Sequence, residues 1–255
     1  MDIEKIIRFA QSLDQSRGSV EELYAYLLEV FGLDRPLERD FQKRGILITF
    51  DGHSGTGKDT QMQKLVGKMN KDESYDRYNI VSLIQKRNDP FRQVAKHLWE
   101  NPALSSGGDC SFLLLTAGRR YFTYSGVFPK LEDPNNIVIQ NRSYLSHVAY
   151  HASDPAELSG LLAVCDFDPR VDLPFILDCD VDIAYRRVQA RSPEKGGIVY
   201  PNERPDYIVR VQRNFEGLER FVDGLVFIDT SRGIEAIAGE IKSHVDIYLT
   251  RANQK

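Results

Sequence analysis

The feature that most narrows the possible fold is a change of rhythm near residue 50. The apolar run ILITF (46–50) breaks into DGHSGTGKDT (51–60), after which Met62, Leu65 and Val66 resume at helical spacing. A buried strand, a glycine-rich turn and an amphipathic helix follow one another without a gap. Within the turn, Gly52-x-x-x-x-Gly57-Lys58 lets the backbone curl so that successive N–H groups converge on one point. The start of the helix adds the positive end of its dipole there. A bare G-x-x-x-x-G-K arises by chance in about one chain in ten, so its position between strand and helix carries the argument. Gly52, Ser54, Gly55, Thr56, Gly57, Lys58, Asp59 and Thr60 form a candidate polyphosphate cradle, with Lys58 reaching the β/γ oxygens of a nucleoside triphosphate.

Asp59 stands where this pattern ordinarily has a hydroxyl. A carboxylate about 5 Å from one phosphate charge, at an effective dielectric of about 20, is repelled by roughly 3 kcal/mol, a penalty of more than about a hundredfold in affinity. A divalent cation would reverse that sign. Mg²⁺ takes carboxylate oxygens and travels with ATP, so Asp59 is a candidate metal ligand. The alternative is an ordinary first-turn acid facing solvent and stabilised by the helix dipole.

Four further apolar runs follow: NIVSLI (79–84), NIVIQ (136–140), LPFILD (173–178) and LVFID (225–229). Their spacing leaves room for crossover helices, so the expected architecture is α/β, a three-layer αβα fold of the P-loop NTPase type on a five-stranded parallel sheet. Residues 1–44 read differently. Ile3, Ile6, Ile7 and Ala10, then Leu23, Tyr26, Leu27 and Val30, repeat at helical spacing and predict an N-terminal helical extension, packed on the core or a second subunit or serving to bind a partner. The α/β domain is expected over 45–255. Its segment 191–206, RSPEKGGIVYPNERPD, is polar and rich in Gly and Pro and reads as a loop. A net charge of −4 with mixed signs argues against a nucleic-acid or membrane-surface binder. Cys110, Cys165 and Cys179 show no metal or disulfide spacing, and MDIEKIIRFAQ lacks a leader-like apolar run, so a cytoplasmic location is expected. His53, His147 and His151 lack metal spacing and read as incidental.

The second informative stretch is IVIQNRSYLSHVAYHA (137–152). NRSYLSHVAY resembles the thymidylate kinase motif D-R-x-x-x-S-x-x-A-Y, with Asn141 at the leading position. GKDTQ is similar to that family's G-K-S-T-Q, LLLTAGRRYF to L-L-F-A-A-D-R, and VDLPFILDCDVDIAYRRVQAR to its strand-helix segment before the lid. The resemblance spans about residues 45–250. It implies a nucleoside monophosphate kinase using Mg·ATP, with dTMP as the leading acceptor, and a homodimer. Carried over by position, Lys58, Arg142 and the lid residue Arg191 would act on the transferred phosphoryl. Arg187 would join the lid side of the ATP site, with Arg204 a further lid candidate, and Asp229, in the turn Asp229-Thr230-Ser231, would border adenine. Arg87 would grip the acceptor phosphate, Arg120 would reach the acceptor base, Tyr150 would pack on it, and Asn141 would lie beside the acceptor. Arg187 and Arg191 could equally be solvated charges and Tyr150 core packing.

Four positions depart from the family pattern. Asn141 replaces an acidic residue, Ser54 an aspartate near the acceptor sugar, and Thr116 a phenylalanine, while RNDPFRQ lacks a Pro-Gly-Gly-Thr run. With a carboxylate gained at 59 and lost at 141, Asp59 and Asn141 together form the expected metal shell, Asp51 standing behind it. Two other readings stay open. One is a deoxynucleoside kinase, for which Asp51 would be the nearest base; the other is a nucleotide-binding protein without turnover.

Overall fold

Each of the five apolar runs forms a strand in a computed structural model of the chain, which describes residues 28–29, 32, 44–85, 91, 108–191, 200–252 and 254. The strands are β1 (Ile46–Asp51), β2 (Asn79–Ile84), β3 (Asn136–Asn141), β4 (Leu173–Asp178) and β5 (Val226–Asp229). They lie in the order β2-β3-β1-β4-β5. β1 pairs in parallel with both β3 and β4, and β4 with β5. All six residues of β3 are buried, as is expected of an inner strand covered on both faces. β2, at the edge, has only exposed and half-buried positions.

Between the strands run α1 (Lys58–Met69), α2 (Gly108–Phe122), α3 (Phe128–Leu131), α4 (Tyr144–His151), α5 (Leu158–Val164), α6 (Val181–Arg191) and α7 (Pro205–Gly217), and α8 (Ile234–Ala252) follows β5. The chain divides into two compact units, one of residues 44–83, 130–166 and 170–255, the other of residues 1–43, 84–129 and 167–169. The first holds nearly all of the sheet. Its core under α4, α5 and α7 joins Leu145, Val148, Leu158, Ile176, Val211 and Phe215, each contributing about 1.5–3 kcal/mol by burial. Asn214 of α7, fully buried, donates from its amide to the carbonyls of Ala149 (2.9 Å) and Ala152 (2.8 Å), tying α7 to the end of α4. Of the expected N-terminal extension, 1–44, only residues 28, 29, 32 and 44 are among those described.

The strand order decides where a ligand can bind. From β1 the chain crosses to β2 on one side, whereas β3 leads to β4 on the other, so the direction of winding reverses beside β1. At such a reversal the connections leave the carboxyl ends of neighbouring strands on opposite faces and open a crevice. The register Phe50↔Asn141 brings the ends of β1 and β3 side by side there.

Candidate active site

The phosphate loop leaves β1 through two glycines that no other residue could replace. Gly52 has φ 131°, and a Cβ on it would lie 2.1 Å from the Leu177 carbonyl oxygen. Gly55 has φ 88°, with a Cβ placed 2.3 Å from the Ala184 carbonyl oxygen. Both pack backbone against backbone, which fixes the curl against β4 and α6. α1 then begins at Lys58 with no side-chain cap on its first turn. Among the described residues, the N–H groups of Ser54, Gly55, Gly57, Asp59 and Thr60 make no turn, loop or cap bond to a backbone carbonyl. A row of amides at a helix start with no acceptor from the protein is the geometry that receives phosphate oxygens. Thr60 is exposed at this rim.

Lys58 is buried and its ammonium rests on the His53 carbonyl (2.5 Å) and on Thr56 Oγ1 (3.1 Å). The Thr56 hydroxyl donates to the same carbonyl at 3.0 Å. His53 is therefore a hub, and its side chain explains why. The ring, 1% exposed, places Nδ1 2.9 Å from the Ser54 carbonyl oxygen and Nε2 2.8 Å from Asp178 Oδ1. Gln212 of α7 donates to both Asp178 oxygens at 3.2 and 3.0 Å. Burial raises the Asp178 pKa, and the hydrogen bonds from His53 and Gln212 outweigh that, leaving it below the ordinary aspartate value. The reading of His53 as incidental is corrected here: the ring clamps the loop to the end of β4. Sequence reasoning missed it because its carboxylate partner, Asp178, lies 125 residues away.

The adenine-side turn is anchored on the same residue of β4. Thr230 donates from N (2.7 Å) and from Oγ1 (2.9 Å) to the Asp178 carbonyl. Arg187 reaches across from α6 to the Thr230 carbonyl (2.8 Å) and lies 3.4 Å from that of Gly55. It is thus not a solvated charge, and it braces the loop against this turn. The exposed Asp229 accepts from Ser231 N (2.8 Å) and Oγ (2.9 Å); these bonds, ahead of Arg232 and Arg187, lower its pKa.

On the β3 side, Asp51 is fully buried and accepts four hydrogen bonds: from Ser143 N (2.7 Å), Ser143 Oγ (2.7 Å), Ser146 N (3.1 Å) and Ser146 Oγ (2.6 Å). Ser143 also caps α4 by accepting from Leu145 N. Asp51 is thus the bracket that fixes the turn after β3, and its oxygens are committed. That engagement by four donors disfavours the role of general base.

That turn holds Arg142 at φ 67°, the one left-handed non-glycine among the described residues. Such a conformation costs about 1–2 kcal/mol and is held by its surroundings. It swings the guanidinium back over the loop, with NH1 3.5 Å from the Gly52 carbonyl, NH2 3.3 Å from Tyr150 Oη, and the charge stacked 4.8 Å above the Tyr150 ring. Burial works against this charge; Tyr150 and the carboxylates of Asp51 and Asp59 outweigh it, and the pKa lies above the usual arginine value. The Tyr150 hydroxyl also lies 3.4 Å from Ser54 Oγ, and its carbonyl accepts from Tyr207 Oη at 2.8 Å. Asn141, beside Arg142, donates from its amide nitrogen to Asp59.

Lys58, Arg142, Tyr150, Ser54, Asp59, Asn141 and Arg187 thus converge at the crevice. Arg191 bonds instead to Glu203 at 3.4 Å, at the base of the expected lid. Arg204 is exposed at the start of α7. Residues 192–199 and Arg87 lie outside the described residues. Arg120 belongs to the other unit, where it stacks on Tyr124 (5.3 Å) and Phe167 (5.2 Å). Its neighbour Arg119, unremarked in the sequence, forms a buried bidentate pair with Asp168, one bond of which measures 3.0 Å. Thr116 in the same helix donates its hydroxyl to the Phe112 carbonyl at 2.8 Å.

A sheet that reverses its winding beside β1, with an open amide curl, a lysine and an arginine at the reversal, defines a P-loop nucleotide-binding protein built for phosphoryl transfer. The comparisons with known proteins narrow the class. The family model for thymidylate kinase matches residues 50–241, and the chain belongs to the thymidylate kinase family, whose members are nucleoside monophosphate kinases. It is 27% identical over 207 residues to the thymidylate kinase of Halothermothrix orenii, spanning 78% of this chain and 95% of that protein. It is 28% identical over 216 residues to that of Dictyostelium discoideum, spanning 82% and 88%. The solved thymidylate kinase of Candida albicans shares the fold with a TM-score of 0.61 at 18% identity, covering 84% of this chain and 95% of that one.

Proposed function

We propose that the chain transfers the γ-phosphoryl of ATP to dTMP, forming ADP and dTDP. The observation that carries this reading is Arg142, held in a strained conformation over an amide curl open to phosphate, between the loop and Tyr150. The curl N–H groups receive the β- and γ-phosphate oxygens. Lys58 turns from the His53 carbonyl to those oxygens, and Arg142 faces the phosphoryl group as its charge spreads in flight. Arg187 keeps the loop and the adenine turn at a constant separation, with Asp229 at that turn. Arg191 and Arg87 complete the charge around donor and acceptor, Arg120 belongs to reading the acceptor base, and Tyr150 packs beside the acceptor. The acceptor phosphate is already an oxyanion, so no residue need remove a proton. This agrees with an Asp51 wholly engaged by Ser143 and Ser146, and it disfavours a nucleoside as acceptor.

The site also fits a Mg²⁺ ion. Among the described residues no group of three or more His, Cys, Asp or Glu could cage a metal alone. Mg²⁺ on ATP needs only one or two protein oxygens beside phosphate and water; Asp59 would supply one at the rim, with the buried Asn141 bonded to it from behind. When bound, the ion neutralises phosphate charge and aligns the transferred group. Residues 1–44 form a helical extension to the kinase domain 45–255 in this reading, which also places the protein in the cytoplasm as a homodimer, as its family resemblance implies. Offering labelled ATP with thymidine and with dTMP in one tube tests the function: label in dTDP supports it, and label in dTMP or in neither product refutes it.

A further inference from the structure

Two of the departures from the family pattern that involve charge, at 59 and 141, are 82 residues apart in sequence and touch in the fold. The Asn141 amide nitrogen donates directly to the Asp59 carboxylate. One position has exchanged a hydroxyl for a carboxylate, the other a carboxylate for an amide, and the two new side chains are bonded to each other across the ends of β1 and β3. Asp59 is exposed at the rim of the loop, whereas Asn141 is buried at 7% exposure. Asp51, the other carboxylate at this end of β1, has both oxygens committed to Ser143 and Ser146.

We infer that the metal-facing negative charge of this kinase has moved from the strand end to the phosphate loop: Asp59 is the protein's carboxylate toward the Mg²⁺ of Mg·ATP, and Asn141 is a positioning residue that aims it. The inference rests on the ATP-dependent reading above. Three physical points support it. A carboxylate among phosphates is tolerable only beside a cation, so its presence at position 59 makes nucleotide binding depend on that cation. An aspartate at 141 would set a second carboxylate against Asp59, and like charges at hydrogen-bonding distance cannot both stay ionised cheaply; an amide there donates to the anion instead. Finally, the bond from Asn141 takes one carboxylate oxygen of Asp59 and so limits the directions in which the other can point. The solvent-facing acid that the sequence left open has no need of this bond.

The test reads binding, not turnover. The affinity of the full chain for the non-hydrolysable analogue AMP-PNP is measured by calorimetry with Mg²⁺ and with EDTA, and the ratio of the two affinities is compared among variants. In the unaltered protein Mg²⁺ strengthens binding strongly. In Asp59→Asn, which keeps the shape, and in Asp59→Ser, the ratio is expected to fall at least about tenfold, with binding in EDTA becoming tighter because the repulsion is gone. In Asn141→Asp the ratio rises. The exchange Asp59→Ser with Asn141→Asp, which returns a carboxylate to the strand end, is expected to bring it back to within about threefold of the starting value. A ratio unchanged in Asp59→Asn, or a double variant whose ratio stays as low as that of Asp59→Ser alone, overturns the inference. Should Asn141→Asp not fold, Asp59→Asn still decides. Failure of the unaltered protein to bind AMP-PNP under either condition would instead overturn the kinase reading itself.

Discussion

Two buried aspartates, one in each compact unit, stand near an arginine and treat it differently. Asp168 takes Arg119 in a bidentate pair, with side chains 1% and 4% exposed, and accepts from Thr123 Oγ1 at 2.5 Å. Asp51, in the unit that carries the sheet, is as deeply buried, yet its four hydrogen bonds come from Ser143 and Ser146 and none from the arginine that follows β3. In the first case the charge of the arginine is bound into the structure. In the second, neutral donors satisfy the carboxylate, and Arg142 is directed over the loop. The difference teaches how a fold keeps an arginine for chemistry: nearby serines answer the buried carboxylate first.

The widest break in this comparison should come from the arginine of the site. Arg142→Ala is expected to lower kcat about a thousandfold, about 4 kcal/mol of transition-state stabilisation, while thermal unfolding stays within a few degrees; turnover and calorimetry check both. Asp168→Asn should do the reverse. It leaves Arg119 buried beside a neutral amide, so stability falls by about 3 kcal/mol with kcat of the folded enzyme within about twofold, measured by urea unfolding and by assay at low temperature. Asp51→Asn sharpens the contrast, since an amide nitrogen then faces serine N–H donors. A loss of about 2 kcal/mol in stability and about tenfold in kcat is expected, because the turn that aims Arg142 loosens.

The smallest effect belongs to the loop clamp. The Asp178 pKa is depressed in the fold, so its contribution is complete above the pKa of the unfolded chain and disappears as pH falls through the lower, folded one. The unfolding free energies of the parent and of Asp178→Asn should differ by about 1 kcal/mol, the side chain being partly exposed, at neutral pH. The gap should hold down to the ordinary aspartate value of 3.8 and close only below it.

Much of this was open to sequence reasoning, for a definite reason. Inner parallel strands must be apolar throughout, so NIVIQ and LPFILD announce themselves, and β2 and β4 begin and end where their apolar runs do. The loop is equally legible, because close backbone approach at positions 52 and 55 admits glycine alone. Contacts between distant segments left no such trace. Nothing local marks Asp178 as the partner of His53, or Ser146 as a ligand of Asp51, and two adjacent arginines on a helix, 119 and 120, look alike until burial separates the ion pair from the stacked side chain. The bond from Asn141 to Asp59 lies between these cases. Both substitutions were visible, and only the register of β1 with β3 shows that they meet.

The account's central claim is tested most directly by a crystal structure of the chain with Mg²⁺, AMP-PNP and dTMP. It predicts the γ-phosphoryl oxygens on the N–H groups between Ser54 and Thr60, with Lys58 moved off the His53 carbonyl and Arg142 facing the dTMP phosphate. A nucleotide bound elsewhere, with Lys58 still resting on that carbonyl, would contradict it.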